Sequence, residues 1–174
     1  MSNQSKTYDY ILALDPSGNY HEGKGTTGYC ILHASNKIVA CGAISASDYF
    51  NQYEYWNAHV QLLKDFKEQY ENGVVVFEDY LLYASKASQQ INSKMETPQL
   101  IGVLKMTLAT EQIPYAIQKA SEVKTRWPDK ILIFKGVIVN KHGRFYTPEG
   151  NIINRHTRDA IRHAVHLNTF KNRS

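Results

Sequence analysis

Apolar and polar positions along the chain fall into runs whose period switches between that of a strand and that of a helix, and the elements follow from those periods. Ile11, Leu12, Ala13 and Leu14 are the centre of an apolar run, residues 8–15, that ends on Asp15 and meets Pro16, Ser17 and Gly18. Bounded in this way, the run predicts a buried strand that carries one carboxylate to a sheet edge. Residues 17–25 are polar, hold Gly18, Gly23 and Gly25, and predict a mobile loop overhanging Asp15. Residues 26–34 and 37–45 alternate as two antiparallel strands joined at Ser35 and Asn36. From 49 to 70 the apolar residues Tyr53, Trp56, Val60, Leu63, Phe66 and Tyr70 recur at helical spacing, with Ser47 or Asp48 placed to cap and Asn72 and Gly73 to terminate. Burial habits make that aromatic stripe a core face rather than a base-stacking platform. Val74, Val75, Val76 and Phe77 then form a second short buried strand, ending on Glu78 and Asp79.

Residues 80–95 lack a clean period and read as a loop near the site, with Lys86 and Lys94 among apolar and aromatic side chains. A helix follows over 98–112, with Pro98 at its first position and Thr97 as its cap. Ile101, Leu104 and Leu108 lie on one side of it, and Gly102 permits close approach of another element. Residues 114–118 predict a strand, and 121–127 a short helix or turn stopped by Pro128. Residues 130–139 predict a strand that pairs with 144–147 across Lys141, His142 and Gly143. The closing helix, 154–170, has Ile161, Val165 and Leu167 on its apolar side. His156 and Asp159 stand i, i+3 on one of its faces. A strand-end Asp, a strand-end Glu and a helical His/Asp pair are the parts of a divalent-metal site.

Composition narrows the setting. The chain has 174 residues, 43% of them hydrophobic, with no internal repeat or linker, so one domain spanning 1–174 is expected. No apolar stretch approaches membrane-spanning length, and the polar start, residues 1–6, lacks a signal-peptide core; a cytoplasmic protein without membrane contact is expected. Cys30 and Cys41 flank the turn at Ser35 and Asn36 symmetrically and read as small, reduced, buried residues. Charge is asymmetric. From Lys119 onward there are 12 Lys/Arg against 4 Asp/Glu, and before it 8 against 12, which places a surface for a polyanion such as nucleic acid in the C-terminal part.

The element order β-β-β-α-β-α-β-α, with acids at the ends of the first and fourth strands and on the last helix, is that of an α/β RNase H-like fold, a central mixed β-sheet flanked by helices. The run Ile11 to Asp15 with Pro16, followed by Thr26, Thr27, Gly28 and Tyr29, resembles the N-terminal signature of RuvC-type Holliday junction resolvases, an apolar strand ending in Asp-Pro-Gly and then Thr-Gly-Tyr or Thr-Gly-Trp. Phe77 and Glu78 resemble the family's second acid, and Gln99 with Gly102 its interface helix. Pro114 with Tyr115 and Val123 with Lys124 resemble the strand and basic turn after it, and residues 156–160 the closing acidic helix. Three features depart from the family pattern: a longer loop between Asp15 and Thr26, a hairpin between Phe134 and Tyr146, and His156 where many members carry Asp. They look like a bacteriophage branch, whose members work in the host cytoplasm without a branch-migration motor.

The resemblance implies a homodimer built through the 98–112 helix that binds four-way and branched DNA and cuts it. Phosphodiester hydrolysis needs an activated water and a stabilised leaving oxygen, and two hard cations supply both. Oxygen ligands select Mg²⁺ or Mn²⁺. Asp15 is expected to bridge two such ions per site, Glu78 to bind one, and Asp159 with His156 to bind the other. Asp9 lies inside its strand and Asp79 on the opposite face from Glu78, so neither joins the set. Lys124 and Lys130 are carried over as phosphate contacts, and charge position adds Arg126, Arg155 and Arg158. The family places a wedge just after the second acid, which by count is Leu81, with Tyr80 and Tyr83 as aromatic neighbours. Two other classes compete. A non-catalytic branched-DNA-binding protein needs only the basic surface, and an actin-like phosphotransferase lobe, suggested by Gly25, Thr26, Thr27 and Gly28, needs two domains and a longer chain.

Overall fold

The run that ends on Asp15 forms the middle strand of the protein. In the computed structural model, which describes residues 7–80 and 95–170, strand β1 (Tyr10–Asp15) has Ile11, Leu12, Ala13 and Leu14 fully buried. Burial of consecutive residues means that both faces of the strand are covered. Five strands form the sheet, in the order β3-β2-β1-β4-β5, with β2 (Thr26–His33), β3 (Ile38–Ser45), β4 (Gly73–Glu78) and β5 (Tyr115–Gln118). β1 is antiparallel to β2 and parallel to β4, and β4 is parallel to β5. The mixed sheet follows from the connections. The short turn at Ser35 and Asn36 allows only antiparallel pairing, whereas the crossings into β4 and β5 run through helices α1 (Gln52–Gln69) and α2 (Glu96–Thr110).

Alternation along β1 and β4 sorts two cores. Leu12, Leu14, Val75 and Phe77 face Leu63 and Phe66 of α1 and Leu104 and Leu108 of α2. Ile11, Ala13, Val74 and Val76 face the other layer, which contains α3 (Ala120–Arg126), α4 (Asp129–Phe134) and α5 (Arg155–Phe170). α5 buries Ala160, Ile161, Ala164 and Val165 against the middle of the sheet. Cys30 and Cys41 are directly opposite on β2 and β3 and remain free thiols.

Several boundaries differ from the expectation. α1 is capped by Asn51, whose Oδ1 accepts the Glu54 N–H at 2.9 Å, while residues 46–48 form a separate 3₁₀ turn. Its buried face is Tyr55, His59, Leu63 and Phe66; Tyr53 is 75% exposed, so the stripe read from the sequence was one position out of phase in the first two turns. α2 starts at Glu96, after Met95 in the left-handed region, and Thr97 is not its cap. The expected strand over 130–139 is in its first half the helix α4, with strand β6 (Val139–Lys141) after it. Pro128 in extended conformation and Asp129 in the first turn start that helix. Only Leu132 of its apolar run is fully buried, whereas Phe134 is 88% exposed, so no sheet edge claims the segment. β6 pairs with β7 (Arg144–Tyr146) as the expected hairpin, and β8 (Ile152–Ile153) completes a second, three-stranded sheet. The segment 80–95 falls almost wholly outside the described residues, as do Leu81 and Tyr83. Among the described residues no helix is long and apolar enough to cross a membrane.

Candidate metal centre

Asp15 and Glu78 end adjacent parallel strands, one step beyond the Leu14 and Phe77 pair, so the sheet itself sets them side by side. α5 reaches them because of a glycine. Gly28 is paired with Asp15 across β1 and β2, and a Cβ built on it would lie 2.0 Å from the His156 carbonyl carbon and 2.3 Å from the Thr157 nitrogen. The first turn of α5 therefore rests directly on the backbone of β2. Asn154 caps that turn by accepting the Thr157 N–H at 2.8 Å, and the Thr157 hydroxyl donates to the Gly42 carbonyl at 2.9 Å.

All four candidate residues meet at this edge. His156 Nδ1 donates to Asp15 Oδ2 at 2.9 Å. Lys124, from the last turn of α3, brings its Nζ to 3.4 Å from Asp159 Oδ2 and 3.7 Å from Glu78 Oε2. Partial burial pulls the Lys124 pKa down, but the charges of Glu78, Asp159 and Asp15 outweigh it and hold the ammonium above its ordinary value. The hydrogen bond to Asp15 is the main cause that raises the His156 pKa, against its partial burial. Asp159 is 5% exposed and its other oxygen is bonded by Arg162, which also bonds Asp129 and donates its Nε–H to the Trp127 carbonyl at 2.9 Å.

Among the described residues no three His, Cys, Asp or Glu side chains converge on one point as metal ligands do. The residues nevertheless fit a hard divalent cation. The Lys124 ammonium stands among the acids as a cation in its own right, and three carboxylates with one imidazole are the oxygen-rich donor set that Mg²⁺ and Mn²⁺ accept. Lys124, expected from the sequence on the phosphate-binding surface, is thus a member of the acid cluster. Lys130, Arg126 and Arg155 are exposed, although Arg126 lies 4.8 Å over the Phe170 ring. Arg158 turns away to Asp129 at 3.1 Å and to the face of Phe145 at 4.0 Å.

No family model and no curated protein sequence matches the chain. Solved structures do. Thermus thermophilus RuvC in complex with a Holliday junction substrate is 12% identical, with a TM-score of 0.65 over 91% of this chain and 91% of that one. The fold is that of RuvC. A second Thermus thermophilus RuvC structure gives 0.58 at 13% identity, over 90% and 91% of the two chains. The large terminase nuclease of the thermophilic phage G20c gives 0.50 at 14% identity, over 92% and 85%.

On this RuvC fold the loop after Asp15 is tied down rather than overhanging freely. The Ser17 N–H donates to Thr27 Oγ1 at 3.1 Å and its carbonyl accepts from the Tyr55 hydroxyl at 2.6 Å. The Gly18 N–H donates to Thr97 Oγ1 at 3.0 Å, and His21 bonds the buried Glu96. His59 completes the anchor. Its Nδ1–H donates to the Tyr55 carbonyl at 2.7 Å, so its bare Nε2 accepts the Thr27 hydroxyl at 2.8 Å. Burial lowers the His59 pKa from 6.5 to about 4. Between those values the unfolded chain binds the proton and the folded one does not, so stability is complete above pH 6.5 and falls as pH drops toward 4. About 3 kcal/mol should be lost across that window. Urea midpoints measured at several pH values for the parent and for His59→Gln should show the slope in the parent and its loss in the variant.

One neighbour of the acids escaped the sequence reading. His163, fully buried, places Nε2 at 3.4 Å from Glu78 Oε2 and Nδ1 at 2.8 Å from Gln118 Oε1. Its spacing carried the signal, because 156, 159 and 163 follow i, i+3, i+7 along one helix face.

Proposed function

We propose that the protein is a divalent-metal-dependent endonuclease that cuts Holliday junctions and other branched DNA as a homodimer. The observation that carries this reading is the meeting of Asp15, Glu78, His156 and Asp159 at one sheet edge of a RuvC fold, with similarity extending over nine-tenths of a RuvC that was solved on a Holliday junction. When bound, the two cations supply an activated water and stabilise the leaving oxygen. Asp15, Glu78, Asp159 and His156 would hold them, while Lys124, 3.4 Å from Asp159 and 3.7 Å from Glu78, balances the charge of the clustered acids. Paired cuts on a four-way junction need two sites in one assembly, which a two-fold dimer supplies. The outer face of α2 suits that contact: a Cβ on Gly102 would meet nothing within 4 Å, and Met106 is 68% exposed. The departures in the loop after Asp15 and in the hairpin support a bacteriophage origin.

End-labelled four-way junction, fork and linear duplex, each incubated with the protein with and without Mg²⁺ or Mn²⁺, test the proposal. Symmetric nicks in the junction that require the metal are expected, from a species that sediments as a dimer. Junction protection without metal-dependent cutting would favour the non-catalytic DNA-binding reading instead.

The exposed cations make a second expectation. Each phosphate contact releases condensed counterions, so affinity falls steeply with salt. Lys130→Gln should lower the slope of log affinity against log salt by about 1. An unchanged slope in a fluorescence-anisotropy series would move the DNA surface away from α4.

A further inference from the structure

Three buried side-chain atoms beside the acid cluster have no hydrogen-bond partner among the described residues: Glu78 Oε2, His163 Nε2 and Gln118 Nε2. They belong to one row. Glu78 and Gln118 are paired in register at the ends of β4 and β5, and His163 of α5 spans them, with Nε2 3.4 Å from Glu78 Oε2 and Nδ1 2.8 Å from Gln118 Oε1. Lys124 reaches the same Glu78 oxygen only at 3.7 Å.

With the amide oxygen facing Nδ1, the imidazole must carry its proton there. Nε2 is then bare, two lone pairs oppose each other inside the protein, and the amide NH₂ is stranded. Buried polar groups in native proteins are nearly always bonded, so three failures in one row ask for one cause. A half-turn of the Gln118 amide exchanges two atoms of almost the same size and changes nothing else. The amide then donates to Nδ1, the proton moves to Nε2, and Nε2–H points at Glu78. Stranded groups fall from three to one, the amide oxygen.

We infer that Gln118, His163 and Glu78 form a buried relay in which Gln118 fixes the imidazole with its proton on Nε2 and His163 donates it to Glu78 Oε2. Glu78 Oε1 takes no part in the relay. His163 is thus a positioning residue, not a ligand, and the assignment of Glu78 as a ligand rests on the function proposed above. Outer-shell partners that orient a ligating carboxylate typically change metal affinity by about 10–100-fold when removed.

The tautomer is read on the metal-free full chain by long-range ¹H–¹⁵N correlation, with the His163 signals assigned by their loss in His163→Gln. Protonated Nε2 with bare Nδ1 is expected; a proton on Nδ1 alone, or on both nitrogens, overturns the relay. Calorimetric titration with Mn²⁺ is the second arm. His163→Phe and Gln118→Leu should weaken binding by about 10–100-fold, and His163→Gln, whose amide can donate where Nε2–H did, should return it close to the parent value. Parent-like affinity in a folded His163→Phe overturns the positioning role. If the phenylalanine variant does not fold, the tautomer still decides. Absence of Mn²⁺ binding by the parent would count against the metal-dependent nuclease reading and leave the tautomer result intact.

Discussion

Asp15→Asn should lower single-turnover junction cleavage on the order of 10³-fold, about 4 kcal/mol of barrier, while junction affinity stays within a few fold of the parent. The substitution keeps the shape of the side chain and removes one charge. His156 Nδ1–H, which donates to Asp15 Oδ2 at 2.9 Å, can donate equally to the amide oxygen, so α5 keeps its place on the sheet. What changes is the ability to hold a doubly charged ion beside Glu78, because a neutral amide oxygen neither neutralises nor bridges cations as a carboxylate does. The exposed Lys130, Arg126 and Arg155, which the proposed function places on the DNA surface, are untouched. Quenched-flow cleavage of a pre-bound junction, paired with an anisotropy titration in Ca²⁺, separates the two effects. Parent-like cleavage by Asp15→Asn, or by Glu78→Gln, would remove the metal-site assignment.

How much of this was legible in the sequence follows from the range of the forces involved. β1 and β4 were readable because each is a short apolar run closed by an acid, and a fully buried parallel strand has no polar face to blur the pattern. α5 was readable because its apolar period is strong and His156 and Asp159 share a face. The first half of the 130–139 segment was not: Ile131, Leu132, Ile133 and Phe134 have high strand propensity, yet they pair with no strand, and Pro128 with Asp129 starts a helix instead. The phase of α1 failed for a similar reason. Tyr53 and Tyr55 are chemically alike, and Tyr55 is the buried one because its hydroxyl reaches the Ser17 carbonyl from across the fold. Lys124 entered the acid cluster through packing of α3 beside β4, a contact that no local pattern announces, whereas His163 was signalled by its i+7 spacing from His156 but its partners Glu78 and Gln118 come from other elements. The expected wedge, Leu81 with Tyr83, lies outside the described residues and stays an expectation.

Gly28→Ala is the substitution with the largest expected structural effect. Its Cβ would sit 2.0 Å from the His156 carbonyl carbon, 2.2 Å from that carbonyl's oxygen and 2.3 Å from the Thr157 nitrogen, all backbone atoms of the first turn of α5. Ordinary contact between such atoms needs well over 3 Å, so no side-chain rotamer can relieve the clash and the helix itself must withdraw by more than 1 Å. Withdrawal strains the Asn154 cap and the Thr157 hydroxyl bond to Gly42, and it carries His156 and Asp159 away from Asp15 and Glu78. Overpacking of this kind typically costs 1–3 kcal/mol and here, against helix backbone rather than a movable side chain, should reach about 3 kcal/mol or more. Cleavage should be lost in the fraction that remains folded, since a misplacement of about 1 Å suffices to spoil catalytic geometry by about 10²-fold. Urea denaturation measures the first effect, and single-turnover cleavage below the transition, with Mg²⁺ and with Mn²⁺, measures the second. A Gly28→Ala protein of parental stability and activity would show that α5 does not rest on β2, and with that the placement of His156 and Asp159 beside Asp15 would fall.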